Sequence, residues 1–263
     1  MDRIKKALEL SEFRPAPHPE KRAAVRDLGS YPKPRLKQLQ ADTLRKNRVV
    51  SGMVNAPYSE SYKLLRTRVI HRMRENKWKT FGITSPSPEV GKTLTAINLG
   101  IAIAMEPNHS VLLVDADLRR PNVHQVLGIE PEYGLVDYLR GESELDTIFI
   151  NPGIEDFDIV PCRETTSGSS ELLTSARMVN LVEELKWNFP SRLMMFDLPP
   201  ILVADDVLAF SEHLDALLVV VEDEKTLTRE MIEAMDIVGN TNILGIVLNK
   251  SQESIQHSYA NYY

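Results

Sequence analysis

The feature that most constrains this chain is a rhythm. From residue 80 onward, short apolar runs at 81–84, 111–115, 158–161, 193–197, 216–221 and 243–248 alternate with segments of helical period at 93–105, 176–187 and 227–238. The 176–187 segment sets Met178, Leu181, Val182 and Leu185 on one face. The runs lack the strict alternation of a half-exposed antiparallel strand. Strands of this kind, separated by helices, predict an α/β fold in three layers, a mostly parallel sheet with helices on both faces. Ligands on such sheets bind at the carboxyl ends of the strands, near a reversal of strand order. The longest apolar run, 216–221, has six residues, far short of the ~20 that a membrane-spanning helix needs.

The chemistry should therefore sit where strands end. The first run leads into Ser85-Pro86-Ser87-Pro88-Glu89-Val90-Gly91-Lys92-Thr93, and Leu94 continues into a helix. Gly-Lys-Thr opening a helix after a strand is the centre of a phosphate-binding loop. Backbone N–H groups and the helix N-terminus surround the phosphates, the lysine reaches the β/γ oxygens and the threonine hydroxyl binds Mg²⁺. The full motif also has a glycine five residues before Gly91, where Pro86 stands here. Two more runs end in aspartate: Asp115 closes 111–115 with Asp117 just beyond, and Asp197 closes 193–197. A carboxylate at the tip of a buried strand is costly unless it caps a helix or meets a cation. Beside a phosphate loop, Mg²⁺ is the economical explanation, with Thr93, Asp115 and Asp197 as its ligands and ATP as its companion.

These segments together resemble the bacterial tyrosine kinases of exopolysaccharide loci, P-loop proteins of the same superfamily as the partition and septum-site ATPases. The resemblance runs over residues 57–263. It rests on 85–93 as a modified Walker A loop and on 111–121, with Asp115, Asp117, Arg119, Arg120 and Pro121, as the Asp-x-Asp motif. It rests further on 193–200 as Walker B and on Ser170-Glu171-Leu172-Leu173. It implies a three-layer P-loop fold and a protein-tyrosine autokinase that uses ATP and Mg²⁺ in regulating exopolysaccharide synthesis. Lys92, Asp115, Asp117 and Asp197 would be its catalytic groups. Residues Ser87, Pro88, Glu89, Val90, Gly91, Lys92, Thr93 and Leu94 would surround the nucleotide, with Asn249 against the adenine. Glu60, Lys63 and Arg66 stand where the family has a Glu-x-x-Arg-x-x-Arg helix that builds a ring-shaped homo-oligomer. Lys63 there lacks the planar fork of arginine.

Two features separate this resemblance from its neighbours. Partition and septum-site ATPases carry a signature lysine five residues before the invariant one, and that position is Ser87 here. Three of the eight tyrosines, Tyr259, Tyr262 and Tyr263, fall in the last five residues, where a terminus can reach a neighbour's active site. The family implies that these are the phosphate acceptors. The loop also departs from the family's Pro-Gly-Glu-Gly-Lys, reading Pro88-Glu89-Val90-Gly91-Lys92. Loss of that glycine restricts the backbone, and Val90 is ill-suited to positive φ. Weakened nucleotide binding is one expectation, which keeps open a non-catalytic nucleotide sensor beside the kinase. The other open alternative is a partition-like ATPase that switches without modifying tyrosine.

The N-terminal portion has a different character. Residues 1–80 hold 20 lysines and arginines against 8 aspartates and glutamates, while the rest holds 11 against 29. A basic arm on an acidic body predicts an acidic counterpart: an anionic membrane surface, a nucleic acid or a neighbouring copy. With the resemblance in hand, no nucleic acid is expected. The family implies instead a separate membrane activator of the chain-length-determinant type, and a cytoplasmic protein held at the inner membrane through it. Residues 11–57 carry Pro15, Pro17, Pro19, Pro32, Pro34 and Pro57 and read as linker, with a short helical patch over 36–48. The expected division is an arm and linker over 1–56 with a short amphipathic start, a P-loop domain over 57–255 and a tyrosine tail over 256–263. Residues 1–10 are charged throughout and do not read as a signal peptide. Cys162 is the only cysteine, so an intrachain disulfide is excluded and a buried small side chain is expected there.

Overall fold

The computed structural model describes residues 34–49, 58–189 and 191–251. The strands are β1 (Arg35–Leu36), β2 (Thr80–Thr84), β3 (Ser110–Asp115), β4 (Ile150–Asn151), β5 (Phe157–Val160), β6 (Arg192–Asp197), β7 (Ala216–Glu222) and β8 (Ile243–Asn249). The helices are α1 (Ala41–Lys46), α2 (Ser59–Glu75), α3 (Lys92–Ala104), α4 (Val123–Leu127) and α5 (Leu135–Arg140). They continue with α6 (Ser169–Leu173), α7 (Ala176–Asn188), α8 (Asp206–Ser211) and α9 (Thr228–Val238). The sheet order is β1-β4-β5-β3-β6-β2-β7-β8. Every described pairing is parallel except β4 with β5. The expected mostly parallel sheet is thus present, and each of the six apolar runs forms a strand within a residue or two of its expected bounds.

Strand order positions the site. From β2 the chain crosses over β6 to β3, while from β6 it crosses back over β2 to β7. The connections diverge at the β3–β6–β2 centre, which leaves a crevice beyond the carboxyl ends of these strands. Register then brings the acidic tips together: Asp115 of β3 pairs with Asp197 of β6, and Asp197 also lies beside Ile83 of β2.

One face of the sheet is covered by α2 and α3. Helix α3 is apolar all round, and Ile97, Leu99, Ile101 and Ile103 are at most 1% exposed. Each such side chain contributes roughly 1.5–3 kcal/mol by leaving water. Helix α2 lies outside it and buries only Val69 and Met73. On the opposite face, Phe210 of α8 meets Phe196 of β6 edge-on, with ring centroids 5.2 Å apart. Gly82 leaves room for Leu198 and Leu217, because a Cβ there would stand 2.4 Å from Leu198 Cδ1 and 2.8 Å from Leu217 Cδ2. Among the described residues no helix is long and apolar enough to cross a membrane.

The stretch 34–49 departs from its reading as linker. Strand β1 joins the sheet edge beside β4, with Arg35 opposite Ile150. Val49 is 1% exposed within the core, and Asn47 Nδ2 donates to the Val126 carbonyl at 2.8 Å. The segment has few apolar residues of its own because it uses a sheet edge and a core that other residues build. Pro57, expected to open the P-loop domain, lies outside the described residues, as do residues 1–33 and 252–263.

Candidate functional site

The loop 85–91 joins β2 to α3 across the crevice. Ser85 Oγ donates to the Ser87 carbonyl at 2.7 Å, and Ile201 N donates to the Ser85 carbonyl at 2.8 Å. The segment after β6 thereby fastens the start of the loop. Pro88 and Glu89 are exposed, whereas Val90 is 2% exposed and packs into the core. Positive φ falls on Glu89 (φ 62) and Gly91 (φ 93), not on Val90. The sequence expectation about Val90 is therefore corrected: it is a core residue with ordinary backbone, and the strained position is Glu89. Gly91 caps α3 in the left-handed conformation. The first N–H groups of that helix have no intrahelical partners and carry its positive end, which suits an anion.

Lys92 and Thr93 point to the strand tips. Lys92 Nζ lies 2.6 Å from Asp117 Oδ2 and 3.8 Å from Asp197 Oδ1. Thr93 Oγ1 donates to Asp197 Oδ2 at 2.6 Å. Asp115 Oδ2 accepts from the N–H groups of Asn122 and Val123, both at 3.0 Å, at the start of α4. Asp115 is therefore a helix cap through one oxygen, and its other oxygen is left over. Asp115 Oδ1 and Asp197 Oδ1 are buried and accept no hydrogen bond.

The electrostatics follow from burial. Asp115 and Asp197 are both fully buried. Burial pushes the Asp115 carboxyl well above its ordinary range, and the neighbouring Asp197 adds to the rise. Burial likewise pushes Asp197 up to about 6, against the pull of Lys92 and Thr93. Burial works against the Lys92 ammonium, yet Asp197 and Asp117 outweigh it and hold its pKa above the ordinary value. The pocket thus stores carboxylates that a cation would ionise.

Two orphaned carboxylate oxygens beside a threonine hydroxyl form an all-oxygen donor set suited to Mg²⁺. Among the described residues no three His, Cys, Asp or Glu side chains form a ready-made cage. An ion here would be held by one or two carboxylates together with substrate phosphates. Asn249 at the end of β8 donates from Nδ2 to the Val90 carbonyl at 2.8 Å, so it stands against the loop.

Other sequence-singled residues lie elsewhere. Glu60 and Lys63 pair with each other at 2.6 Å on the exposed face of α2. Arg66 turns inward to Glu106, 2.9 Å away, and ties α2 to the end of α3. Burial pushes the Cys162 thiol up to about 12, so it is an inert packing residue. Tyr259, Tyr262 and Tyr263 lie outside the described residues. Sequence reasoning missed the partner of Arg119, whose Nε donates to the fully buried Asp206 at 2.8 Å. Its only trace is the adjacent pair Asp205-Asp206 opening α8. The bond anchors the segment after Asp117 to the segment after β6.

Residues 81–262 match the family model described as CbiA, the CobQ/CobB/MinD/ParA nucleotide binding domain. The tyrosine-protein kinase YwqD of Bacillus subtilis (strain 168) is 27% identical over 230 residues, covering 87% of this chain and 95% of that one. Several other curated relatives are far longer, and the chain spans about a quarter (26%) of their length. The solved kinase domain of the Escherichia coli tyrosine kinase ETK superposes with a TM-score of 0.69 at 27% identity, covering 84% of this chain and 90% of that one. The septum site-determining protein MinD of Pyrococcus horikoshii OT3, solved with Mg-ADP, shares the fold at TM-score 0.54 and 20% identity, over 69% of this chain and 76% of that one.

Proposed function

The chain belongs to the CobQ/CobB/MinD/ParA nucleotide-binding domain family, and from that premise we propose that it is an ATP-dependent protein-tyrosine autokinase. The observation that carries this reading is the convergence of Lys92, Thr93, Asp117 and Asp197 on adjacent strand ends. Likeness to YwqD over nearly all of that kinase's length favours tyrosine as the acceptor.

The loop and the N-terminus of α3 bind and align the phosphates of ATP. Thr93, Asp115 and Asp197 would hold Mg²⁺, which when bound neutralises phosphate charge. Lys92 leaves Asp117 to engage the β/γ oxygens. Asp117 Oδ2, relieved of its 2.6 Å partner, is then free to orient and deprotonate the tyrosine hydroxyl, whose ordinary pKa of about 10 makes such help useful. Asp115 is less suited to that task, because two backbone N–H groups hold its Oδ2. The γ-phosphoryl group passes to the phenolic oxygen, ADP leaves, and most of the rate comes from alignment and charge stabilisation.

The acceptors are Tyr259, Tyr262 and Tyr263 of a neighbouring copy in a ring-like homo-oligomer in which Glu60, Lys63 and Arg66 take part. Each phosphate adds about −1.5 to −2 charges. Residues 81–263 already hold 29 acidic against 11 basic side chains, so modification repels the tail and loosens the ring. A separate membrane activator, reached through the basic arm and an anionic inner leaflet, sets this cycle for exopolysaccharide synthesis. The test is phosphotyrosine formation with Mg-ATP, using wild type, Lys92→Met and a chain lacking residues 259–263, alone and mixed. Wild type should label and each variant alone should not. The mixture should label the Lys92→Met chain. ATP hydrolysis without any labelling, even with activator, would return the partition-like ATPase reading.

A further inference from the structure

The end of β8 grips the loop at two successive carbonyls. Asn249 Nδ2 donates to the Val90 carbonyl at 2.8 Å, and Lys250 Nζ donates to the Glu89 carbonyl at 2.8 Å. Lys250 is itself anchored, because its Nζ also meets Glu222 Oε2 at the end of β7, 2.8 Å away. The strand ends are joined by Asp223 N donating to the Asn249 carbonyl at 2.9 Å. In a trans peptide the C=O of one residue and the N–H of the next point in opposite directions. Drawing the Glu89 and Val90 carbonyls to β8 therefore turns the N–H groups of Val90 and Gly91 away from it. Neither N–H donates to a backbone carbonyl among the described residues. In this geometry Glu89 stands at φ 62, in the left-handed region that any residue with a Cβ resists.

We propose that Lys250, braced by Glu222, is a positioning residue for the phosphate loop. It holds the Glu89 carbonyl outward and thereby keeps Glu89 left-handed. That leaves the Val90 and Gly91 N–H groups ready for the phosphate oxygens of a nucleoside di- or triphosphate. The inference rests on the nucleotide-binding part of the reading above and not on tyrosine as acceptor.

The test is a cycle of Mg-ADP affinities, read with fluorescent ADP, for wild type, Lys250→Met, Glu89→Gly and the double variant. Lys250→Met should weaken binding about tenfold in the natural loop. In the Glu89→Gly background the same change should cost less than about twofold, because glycine takes the left-handed conformation freely. The KM for ATP should follow affinity while kcat moves little. Equal losses in both backgrounds would mean that Lys250 acts by charge alone, and no loss would mean that the loop holds itself. Either result overturns the proposal. A crystal structure of nucleotide-free Lys250→Met decides the matter even if ADP binding fails: Glu89 should leave positive φ, and its retention there refutes the proposal. Absence of phosphotyrosine alongside the expected cycle would reject the kinase and leave the positioning role standing.

Discussion

Replacing Asp197 by asparagine should stabilise the nucleotide-free protein while weakening its function. Asp197 is fully buried, and burial raises its carboxyl from 3.8 to about 6. The folded state holds that proton more tightly than the unfolded state. Ionisation therefore costs stability, with no penalty below pH 3.8, growing as pH rises toward 6 and complete above it. A rise of about two pH units corresponds to about 3 kcal/mol. That figure is already net of the pull of Lys92 and Thr93 on the carboxylate, and in the variant Lys92 keeps Asp117, 2.6 Å away, as its partner. Asparagine retains an oxygen for the Thr93 hydroxyl. The net gain expected for Asp197→Asn at pH 8 is about 1–3 kcal/mol, or roughly 3–9 °C in Tm, and it should fade toward pH 4. Mg-nucleotide binding should fall, since the cation loses a carboxylate. Calorimetric melts at the two pH values, with and without Mg-ADP, measure both effects. A lower Tm at pH 8, or a difference that ignores pH, would refute the reasoning.

Three further outcomes follow from the geometry. Gly91→Ala would force a Cβ to within 2.3 Å of Asn249 Nδ2 at φ 93. The strain and the lost Asn249 bond should lower nucleotide affinity about 30- to 100-fold, and a titration within threefold of wild type would contradict this. Arg119→Ala leaves the buried Asp206 carboxylate without its 2.8 Å partner, and should cost about 1–3 kcal/mol in urea melts. Arg66→Ala should cost about 0.5–1 kcal/mol by releasing α2 from Glu106. If α2 also builds a ring, sedimentation of the variant should show smaller assemblies, and an unchanged distribution would remove Arg66 from that role.

The central strands were legible because a parallel strand buried on both faces must be a continuous apolar run. The site was legible because Asp115 and Asp197 interrupt such runs at their tips, where only a cap or a cation justifies them. Strand β1 was not legible and helix α1 only as a faint helical patch over residues 36–48, since their stability comes from β4 and from the core around Val49 rather than from their own composition. Helices α4 and α5, of 5 and 6 residues, are too short to display a period. The contact of Lys250 with Glu89 joins residues 161 positions apart and depends on one backbone angle, so no spacing announces it. The loop expectation failed only at Val90. The left-handed residue is Glu89 (φ 62), the very position at which the motif's glycine is missing, so it was the extension of that strain to Val90 that did not hold.

The most direct measurement is the fate of the γ-phosphate. Purified protein with its activator is given γ-labelled Mg-ATP, and label on tyrosine is counted against free inorganic phosphate. The account predicts that label accumulates on tyrosine, that peptide mapping finds it at Tyr259, Tyr262 and Tyr263, and that Lys92→Met abolishes it. Label recovered wholly as inorganic phosphate would contradict the account.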